Sequence, residues 1–412
     1  MFDFRFEIGG TTTHVAVRPD ILREVGPLLV AADGERRSPE VVVISDDCVG
    51  PIYADLVLTS LRSAGYSTFL YEFPAGESSK SLGTTGAIYE ALAERGVSRN
   101  ATLLALGGGV VSDLCGFVAS TWMRGVRFAI CPTTLEADVD ACLGGKTAIN
   151  VSGAKNLVGV FHQPTMVAID PTCLKTLGER DLRAGLAESI KHALIASPEF
   201  FDWQDKNISA LIRGDVNALT ALIKRNLRIK GEVVAADPYE RLGRRVMLNF
   251  GHTIGHALEA CSGYELRHGE CVALGMLAAC WLSHELGLLT SAVVERVRRL
   301  VTNAGLPTTL AEGDEGRRGE TQGRTYDGND GERERGSENG AISQPDDSAS
   351  PPLKRWGTRG IETERMLAAI AKDKKVLNKR AHFVLLEDVG RPVVRNDVPE
   401  SMVRAAVASL VR

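Results

Sequence analysis

The chain has 412 residues, of which 44% are hydrophobic and 24% are charged, a balance typical of globular proteins and unlike that of collagen-like or wholly disordered chains. Its formal net charge of -4 gives no electrostatic reason to expect a nucleic-acid partner or an anionic membrane surface. The eight cysteines form no CxxC pair, so we expect reduced thiols in a cytoplasmic protein.

Targeting and membrane segments are not indicated. Residues 1–10 contain neither a basic nor an apolar segment, so no secretory signal is expected. The longest apolar stretch, residues 272–289, is interrupted by Ser283, His284 and Glu285. It therefore predicts a buried helix rather than a membrane span.

The first 170 residues alternate short apolar runs with amphipathic helical patterns. The patterns predict strands at 41–45, 67–72 and 101–105, and helices at 52–64 and 81–94. Strands that alternate with helices of ten or more residues imply a parallel sheet with crossover connections. Beyond about residue 174 the pattern is almost wholly helical, with helices through 213–236 and 252–288. We predict an α/β nucleotide-binding domain over 1–172 and an all-α metal and substrate domain over 173–412.

A polar segment at residues 312–350 belongs to neither domain. It consists mainly of Gly, Arg, Glu, Asp and Ser, and Tyr326 and Ile342 are almost its only large apolar residues. Such a stretch cannot bury enough surface to offset its ordering entropy. We expect a disordered insertion, with a docking or regulatory role as the alternative, followed by a helix at 362–371 and a strand at 382–386.

Glycines mark a candidate phosphate site. Gly107, Gly108 and Gly109 follow a predicted strand, and a helix opens at Val110. Glycines there let backbone amides approach an anion, and the helix N-terminus adds partial positive charge. The run is not GxGxxG, so a tight structural turn explains it equally well. In the turn at 76–80, Glu77 and Lys80 are candidates for a ribose and a phosphate, although each charge alone also fits a solvated surface.

Histidines suggest a metal site in the helical part. His252 and His256 are one helical turn apart, and His268 opens the next predicted helix. Glu188 lies on an upstream helix, away from that helix's apolar face. Two histidines and a carboxylate from separate helices suit a catalytic divalent ion, zinc foremost. Histidine pairs also occur in helix cores and caps, so that alternative stays open.

The basic residues near these positions would together form a pocket for several anions, such as a phosphate and a carboxylate. Taken singly, each of them also fits a surface charge. They are Lys191, Lys230, Arg245, Lys374 and Lys375.

Several motifs occur in one order along residues 46 to about 390: GGGVVSDLCGFVAS, CPTTLEADVDACLGGKTAIN, KNLVGVFHQP, AGLAESIKHALI, LNFGHTIGHALEA and HGECVALGM. With them the chain resembles the 3-dehydroquinate synthases, members of the sugar-phosphate cyclase superfamily. The resemblance implies an NAD-binding α/β domain and a helical metal domain, with the active site between them. It departs from the usual pattern at Cys48, Glu136 and residues 140–143, and in one extra residue between Lys230 and Arg245. These departures leave room for altered NAD affinity or a divergent substrate.

The same resemblance implies roles for individual residues. Glu188, His252 and His268 would bind zinc or cobalt, and His256 would be a proton-relay group. Arg124 would reach the substrate phosphate from the neighbouring subunit of a homodimer. The other substrate contacts would be Lys146, Asn156, Lys191, Lys230, Arg245, Asn249 and one of Lys374 and Lys375. The NAD contacts would be Asp46, Glu77, Lys80, Gly109, Val110, Val111, Ser112, Asp113, Thr133, Thr134, Lys146, Lys155, Cys173, Leu174, Lys175 and Thr176, with Asp140 as a further candidate.

The implied reaction belongs to the shikimate pathway of aromatic biosynthesis. It converts a phosphorylated keto acid, 3-deoxy-arabino-heptulosonate 7-phosphate, to 3-dehydroquinate and phosphate. The steps are NAD-mediated oxidation, phosphate elimination, re-reduction and intramolecular aldol closure, with NAD regenerated in each turnover. The alternatives are a sugar-phosphate cyclase of the valiolone or deoxy-inosose type, a metal-dependent alcohol dehydrogenase, and a catalytically inactive NAD-binding protein.

Overall fold

The computed structural model describes residues 2–34, 40–151, 154–310, 363–376 and 382–411. The insertion predicted at 312–350 lies outside the described residues. The strands are β1 (Phe4–Ile8), β2 (Thr11–Val17), β3 (Glu40–Asp46), β4 (Ser67–Phe73), β5 (Thr102–Gly107), β6 (Arg127–Pro132), β7 (Lys146–Val151), β8 (Ala154–Phe161), β9 (Met166–Ile169), β10 (Phe383–Asp388) and β11 (Arg391–Arg395). The α-helices are α1 (Val25–Asp33), α2 (Gly50–Ser63), α3 (Leu82–Glu94), α4 (Gly109–Thr121), α5 (Glu179–Ala196), α6 (Pro198–Ile212), α7 (Val216–Ala236), α8 (His252–Cys261), α9 (His268–Glu285), α10 (Ser291–Asn303), α11 (Thr363–Val376) and α12 (Glu400–Ser409).

Seven strands form one sheet in the order β1-β2-β9-β6-β5-β3-β4. Only the β1–β2 pair in this sheet is antiparallel, and every other neighbouring pair is parallel. The five elements predicted before residue 106 are present, and their ends differ from the prediction by at most two residues. Because parallel strands end at the same edge, the loops after β3, β5, β6 and β9 lie side by side.

The two faces of the sheet bury different partners. One face packs on α1 and α2 through residues such as Val41, Val43 and Leu58. The other face shares a buried apolar cluster with the helical half, which includes Ile44 and Leu274. The sheet ends at Ile169 and the first long helix begins at Glu179. Since the apolar core continues across this point, the domain division at residue 172 stays a prediction.

Helix α9 is the centre of the helical half. It is buried along most of its length and packs against α5, α8, α10, α12 and β10. This helix contains most of the apolar stretch at 272–289, which was predicted as a buried helix. Among the described residues, no helix is both long and apolar enough to cross a membrane.

Candidate active site

Three side chains from separate helices meet in the cluster predicted to bind a metal. Glu188 lies within α5, whereas His252 and His268 are the first residues of α8 and α9. His252 Nε2 lies 3.4 Å from Glu188 Oε1, and His268 Nε2 lies 3.3 Å from the same oxygen. One ligand atom from each residue falls within a span of 4.8 Å. Two imidazole nitrogens and a carboxylate oxygen, with other positions open, fit a catalytic zinc ion.

Glycines let α8 and α9 pack closely enough to form this cluster. Gly251 has φ +79°, and a Cβ added there would lie 2.7 Å from Met276 Cγ. A Cβ at Gly275 would lie 1.9 Å from the carbonyl oxygen of Gly251. A larger residue at either position would therefore push the helices apart and move His252 away from His268.

The carboxylate of Glu188 is ionised although it is only 1% exposed. Burial by itself would raise its pKa, but Lys191 and His252 outweigh burial and hold the pKa well below the usual range. Lys191 forms an ion pair with Glu188 one helical turn away. Burial would lower the pKa of Lys191, and the carboxylates of Glu188 and Asp140 raise it instead. The cluster thus presents the deprotonated carboxylate that metal binding requires.

His256 lies beside the cluster and contributes no atom to it. Its ring centroid is 5.1 Å from that of His252 and 6.0 Å from that of His268. Desolvation, together with these two imidazoles, lowers the pKa of His256 to about 3. His256 is therefore neutral near pH 7, and so low a pKa makes it a weak base. Its role as a proton relay stays a prediction.

A second cluster of charges surrounds Asp140. Its Oδ1 lies 2.7 Å from Lys230 Nζ, 3.3 Å from His192 Nε2 and 3.8 Å from Lys191 Nζ. Burial would raise the pKa of Asp140, but Lys230 and Lys191 hold it well below the usual range. Burial lowers the pKa of Lys230 despite this carboxylate. Lys191 contacts both Glu188 and Asp140, so the predicted metal and substrate residues form one continuous charged region.

Asp140 was grouped with the nucleotide contacts in the sequence, and the structure places it among the predicted substrate contacts. The residue belongs to a π-helical turn, Ala137–Ala141. This turn packs against α5 and α7, so the Asp140 side chain faces the lysines of those helices. A π-helical turn has no simple sequence signal.

Arg245 is positioned by a loop folded around one carboxylate. Asp237 accepts hydrogen bonds from the backbone N–H groups of Arg241, Leu242, Arg244 and Arg245 at 2.9–3.4 Å. Asp237 is 1% exposed. This loop had no predicted function, and its hydrogen-bond pattern depends on the backbone path rather than on a motif.

Two predicted substrate cations share a glutamate that sequence reasoning missed. Glu240 Oε1 lies 2.5 Å from Lys146 Nζ and 3.4 Å from Arg245 Nε. Arg245 also donates from Nη1 to the carbonyl of Gly144 at 3.3 Å. Gly144 has φ +102°, and a Cβ there would lie 2.8 Å from the Arg245 guanidinium. The glycine therefore makes room for the cation beside β7.

The positions of the remaining predicted substrate residues leave their roles untested. Asn249 is exposed at the end of the 3-10 helix Arg244–Asn249. Arg124 is exposed after the far end of α4, about 20 Å along the helix from the glycine loop at 1.5 Å per residue. Lys374 and Lys375 lie in α11, and their side chains are outside the described residues.

Most of the predicted NAD contacts lie along the carboxyl edge of the sheet, where α/β sheets of this kind bind nucleotides. Asp46 ends β3, and its Oδ1 accepts hydrogen bonds from Cys48 N and Val49 N at 3.0 and 2.8 Å. The other members follow neighbouring strands: Gly109, Val110, Val111, Ser112 and Asp113 after β5, Thr133 and Thr134 after β6, and Cys173, Leu174, Lys175 and Thr176 after β9. The structure thus brings these predicted NAD contacts to one edge, whereas Lys146 and Lys155 lie on hairpin β7–β8.

Hairpin β7–β8 joins this edge to the helical half. Lys80 Nζ lies 2.5 Å from Asp113 Oδ2 and also bonds to Asn156 on the hairpin. Burial raises the pKa of Asp113 even though Lys80 opposes the shift. Asn150 on β7 donates to Glu77 Oε1 at 2.8 Å. Asn150 was not predicted, and it fixes the carboxylate proposed for a ribose.

The hairpin also reaches the metal cluster through Glu259, which sequence reasoning missed. Lys155 Nζ lies 2.6 Å from Glu259 Oε1 and 3.9 Å from Glu77 Oε1. Burial would raise the pKa of Glu259, but His268 and Lys155 lower it to about 2. Glu259 comes seven residues after His252, so it lies on the same face of α8. That spacing was a usable sequence signal.

Comparison with known proteins points to the family that the sequence motifs resemble. The family model for the 3-dehydroquinate synthase N-terminal region matches residues 70–184, and the C-terminal model matches residues 185–320. A 3-dehydroquinate synthase of Desulforamulus reducens is 42% identical over 314 residues, which cover 76% of this chain and 86% of that protein.

Solved structures share the fold. A 2-epi-5-epi-valiolone synthase from Streptomyces hygroscopicus subsp. jinggangensis 5008, with NAD+ and Zn2+ bound, matches with a TM-score of 0.77 and 28% identity over 96% of each chain. A 2-deoxy-scyllo-inosose synthase with carbaglucose-6-phosphate, NAD+ and Co2+ matches with a TM-score of 0.79 and 21% identity, covering 99% of this chain and 100% of the other. The predicted fold class is confirmed in its α/β nucleotide-binding part and its helical part, but the helical part, predicted as all-α, also contains hairpin β10–β11. The chain belongs to the 3-dehydroquinate synthase family.

Proposed function

We propose that this chain converts 3-deoxy-arabino-heptulosonate 7-phosphate to 3-dehydroquinate and phosphate between the carboxyl edge of the sheet and helices α5, α7, α8 and α9. Family membership supplies the reaction class, a carbon–oxygen lyase of aromatic biosynthesis. The observation that carries the proposal is Lys191, which pairs with Glu188 of the metal cluster and lies 3.8 Å from Asp140. Asp140, Lys191 and Lys230 together form what we call the lysine cluster. A metal site and an anion site are therefore adjacent.

The cofactors of the proposal are NAD and zinc or cobalt. Glu188, His252 and His268 would hold the metal, which supplies Lewis-acid polarisation of a substrate oxygen. NAD along the sheet edge supplies reversible hydride transfer. The 2-epi-5-epi-valiolone synthase structure, which is bound to NAD+ and Zn2+, supports both assignments.

The chain's own residues position and stabilise an anionic substrate. Lys191 and Lys230 are buried cations, and buried cations stabilise substrate and transition-state charge more strongly than exposed ones. Lys146 and Arg245 share Glu240, so a substrate carboxylate or phosphate would replace Glu240 as their partner. The neutral His256 would accept and return a proton beside the metal cluster.

We further propose that two copies form a homodimer. Strand β8 exposes Leu157, Val158 and Val160 by 58%, 40% and 41%, and Met123 is 46% exposed next to Arg124. A contiguous apolar strand of this kind indicates a protein interface. Light scattering after size exclusion is expected to give twice the chain mass, and Leu157→Glu with Val160→Glu should give the single-chain mass. A wild-type monomer at micromolar concentration would contradict the proposal.

The eight cysteines are free thiols, which supports a reducing compartment, and we propose that the enzyme acts in the cytoplasm. Cell fractionation with an antibody against the chain tests this location. Recovery outside the cytoplasmic fraction would rule it out.

The experiment that tests the reaction is phosphate release from 3-deoxy-arabino-heptulosonate 7-phosphate with NAD and zinc, before and after chelation. We expect chelator-sensitive release with equimolar 3-dehydroquinate and no net NADH, because NAD is regenerated in each turnover. Turnover of sedoheptulose 7-phosphate or glucose 6-phosphate instead would favour a valiolone-type or inosose-type cyclase. Net NADH from a simple alcohol would indicate a dehydrogenase.

A further inference from the structure

We propose that Glu259 is the positioning residue that orients His268 toward the metal, an inference that rests on the metal site proposed above. Glu259 Oε2 lies 3.3 Å from His268 Nδ1. The opposite ring nitrogen, His268 Nε2, lies 3.3 Å from Glu188 Oε1. The imidazole is thus held between two carboxylates, one within the cluster and one behind it.

The arrangement favours one tautomer of the neutral, metal-binding form of His268. A carboxylate at Nδ1 keeps the proton on that nitrogen and leaves the Nε2 lone pair for a metal. The other histidine of the cluster has the equivalent support, since His252 Nδ1 lies 3.2 Å from the carbonyl oxygen of Phe250. Both imidazoles therefore have an acceptor behind them, a backbone carbonyl for His252 and a carboxylate for His268.

Glu259 is itself held in place. The residue is 7% exposed on α8, and its second oxygen, Oε1, lies 2.6 Å from Lys155 Nζ. Lys155 also lies over the Tyr264 ring, 4.4 Å from its centroid. Each carboxylate oxygen thus has one partner, Lys155 for Oε1 and His268 for Oε2, so rotation of the carboxylate would break both contacts.

The alternative is that Glu259 only stabilises the fold through its ion pair with Lys155. The two roles differ in what they predict for metal binding. If Glu259 positions His268, removing its charge weakens the metal site more than removing Lys155 does. If only the ion pair matters, Glu259→Gln and Lys155→Met have equal effects.

The test measures metal binding by the full-length chain. Zn2+ affinity is obtained by competition with a chromophoric chelator, and the Co2+-loaded protein is examined by visible absorption. Glu259→Gln is expected to bind Zn2+ about 10- to 100-fold more weakly, the range found when such supporting groups are removed, and to change the Co2+ spectrum. Lys155→Met is expected to lose less affinity. Glu265→Gln, in the exposed loop between α8 and α9, removes one nearby negative charge and should bind as the parent does.

The outcomes distinguish failure of the proposed metal site from failure of the positioning role of Glu259. If the parent does not bind one Zn2+ ion per chain, both the metal site and the positioning role are overturned. A parent that binds Zn2+ while Glu259→Gln binds equally well overturns only the positioning role, as do equal losses in Glu259→Gln and Lys155→Met. If thermal melting shows that Glu259→Gln does not fold, Glu259→Asp keeps the charge but shortens the reach. That variant is also expected to weaken Zn2+ binding, and parent-like affinity in it overturns the inference.

Discussion

Replacing His268 with alanine is expected to abolish stoichiometric zinc binding and to lower turnover by at least about 10²- to 10³-fold, the loss seen when a main charge-stabilising group is removed. The change removes one of two imidazole nitrogens from a cluster whose ligand atoms lie within 4.8 Å. Zinc content after dialysis and phosphate release under saturating substrate measure the two effects. Full zinc content with parental turnover would remove His268 from the metal site.

His256→Ala is the matched control, because this neighbouring imidazole supplies no atom to the cluster. It is expected to retain zinc and to lose turnover, as a proton-relay residue should. Loss of zinc in both variants would show that the histidines act as one packed unit rather than in separate roles.

The metal-free His268→Ala protein should also show a specific pH dependence of stability. Burial would lower the pKa of His268, but Glu188 and Glu259 outweigh it and raise the pKa well above the usual 6.5. The resulting stabilisation is fully present below the unfolded pKa and is lost as pH rises through the folded pKa. In chelator, the variant should therefore melt below the parent at pH 6, and the difference should narrow at alkaline pH. A pH-independent difference would contradict this account.

The sequence predicted the parts of the molecule that depend on periodicity. Strands β3, β4 and β5 and their helices were identified because apolar runs alternate with helical patterns of sufficient length. Strands β6 and β9 were missed, since RFAICP and MVAI are short apolar runs that do not distinguish a strand from a buried helix segment. Hairpin β7–β8 was missed as a structure, although Lys146, Lys155 and Asn156 on it were predicted as site residues.

In the site, too, residues related by helical spacing could be predicted from the sequence, whereas residues brought together by the tertiary fold could not. His252 and His256 were recognisable by their i, i+4 spacing, and Glu259 on the same face was equally accessible to that reasoning. Glu240 was not accessible, because its contacts with Lys146 and Arg245 arise from the loop that Asp237 folds through backbone N–H groups.

The second large effect is expected for the ion pair between Asp140 and Lys230. Lys230 is 5% exposed, and Asp140 is the only described carboxylate within 4.0 Å of its ammonium. Asp140→Asn leaves this buried cation without a counter-charge, which costs about 3 kcal/mol of unfolding free energy, the lower end for a broken buried pair. We take the lower end because the Asp140 side chain is 28% exposed and solvent screens part of the interaction.

Lys230→Met should cost less than Asp140→Asn, because Asp140 keeps His192 at 3.3 Å and Lys191 at 3.8 Å. The double variant should be more stable than the sum of the two single losses predicts, with a coupling of at least about 1 kcal/mol, as residues in direct contact show. Urea unfolding in buffer without phosphate or sulfate measures the cycle, since an anion would substitute for the lost carboxylate. Added phosphate should stabilise Asp140→Asn more than the parent, because Lys230 and Lys191 would bind it in place of the Asp140 carboxylate. The proposal would be contradicted if the losses of unfolding free energy were additive and phosphate stabilised Asp140→Asn and the parent equally. Lys230 would then not depend on Asp140, and the lysine cluster would no longer be supported as the anion site beside the metal site.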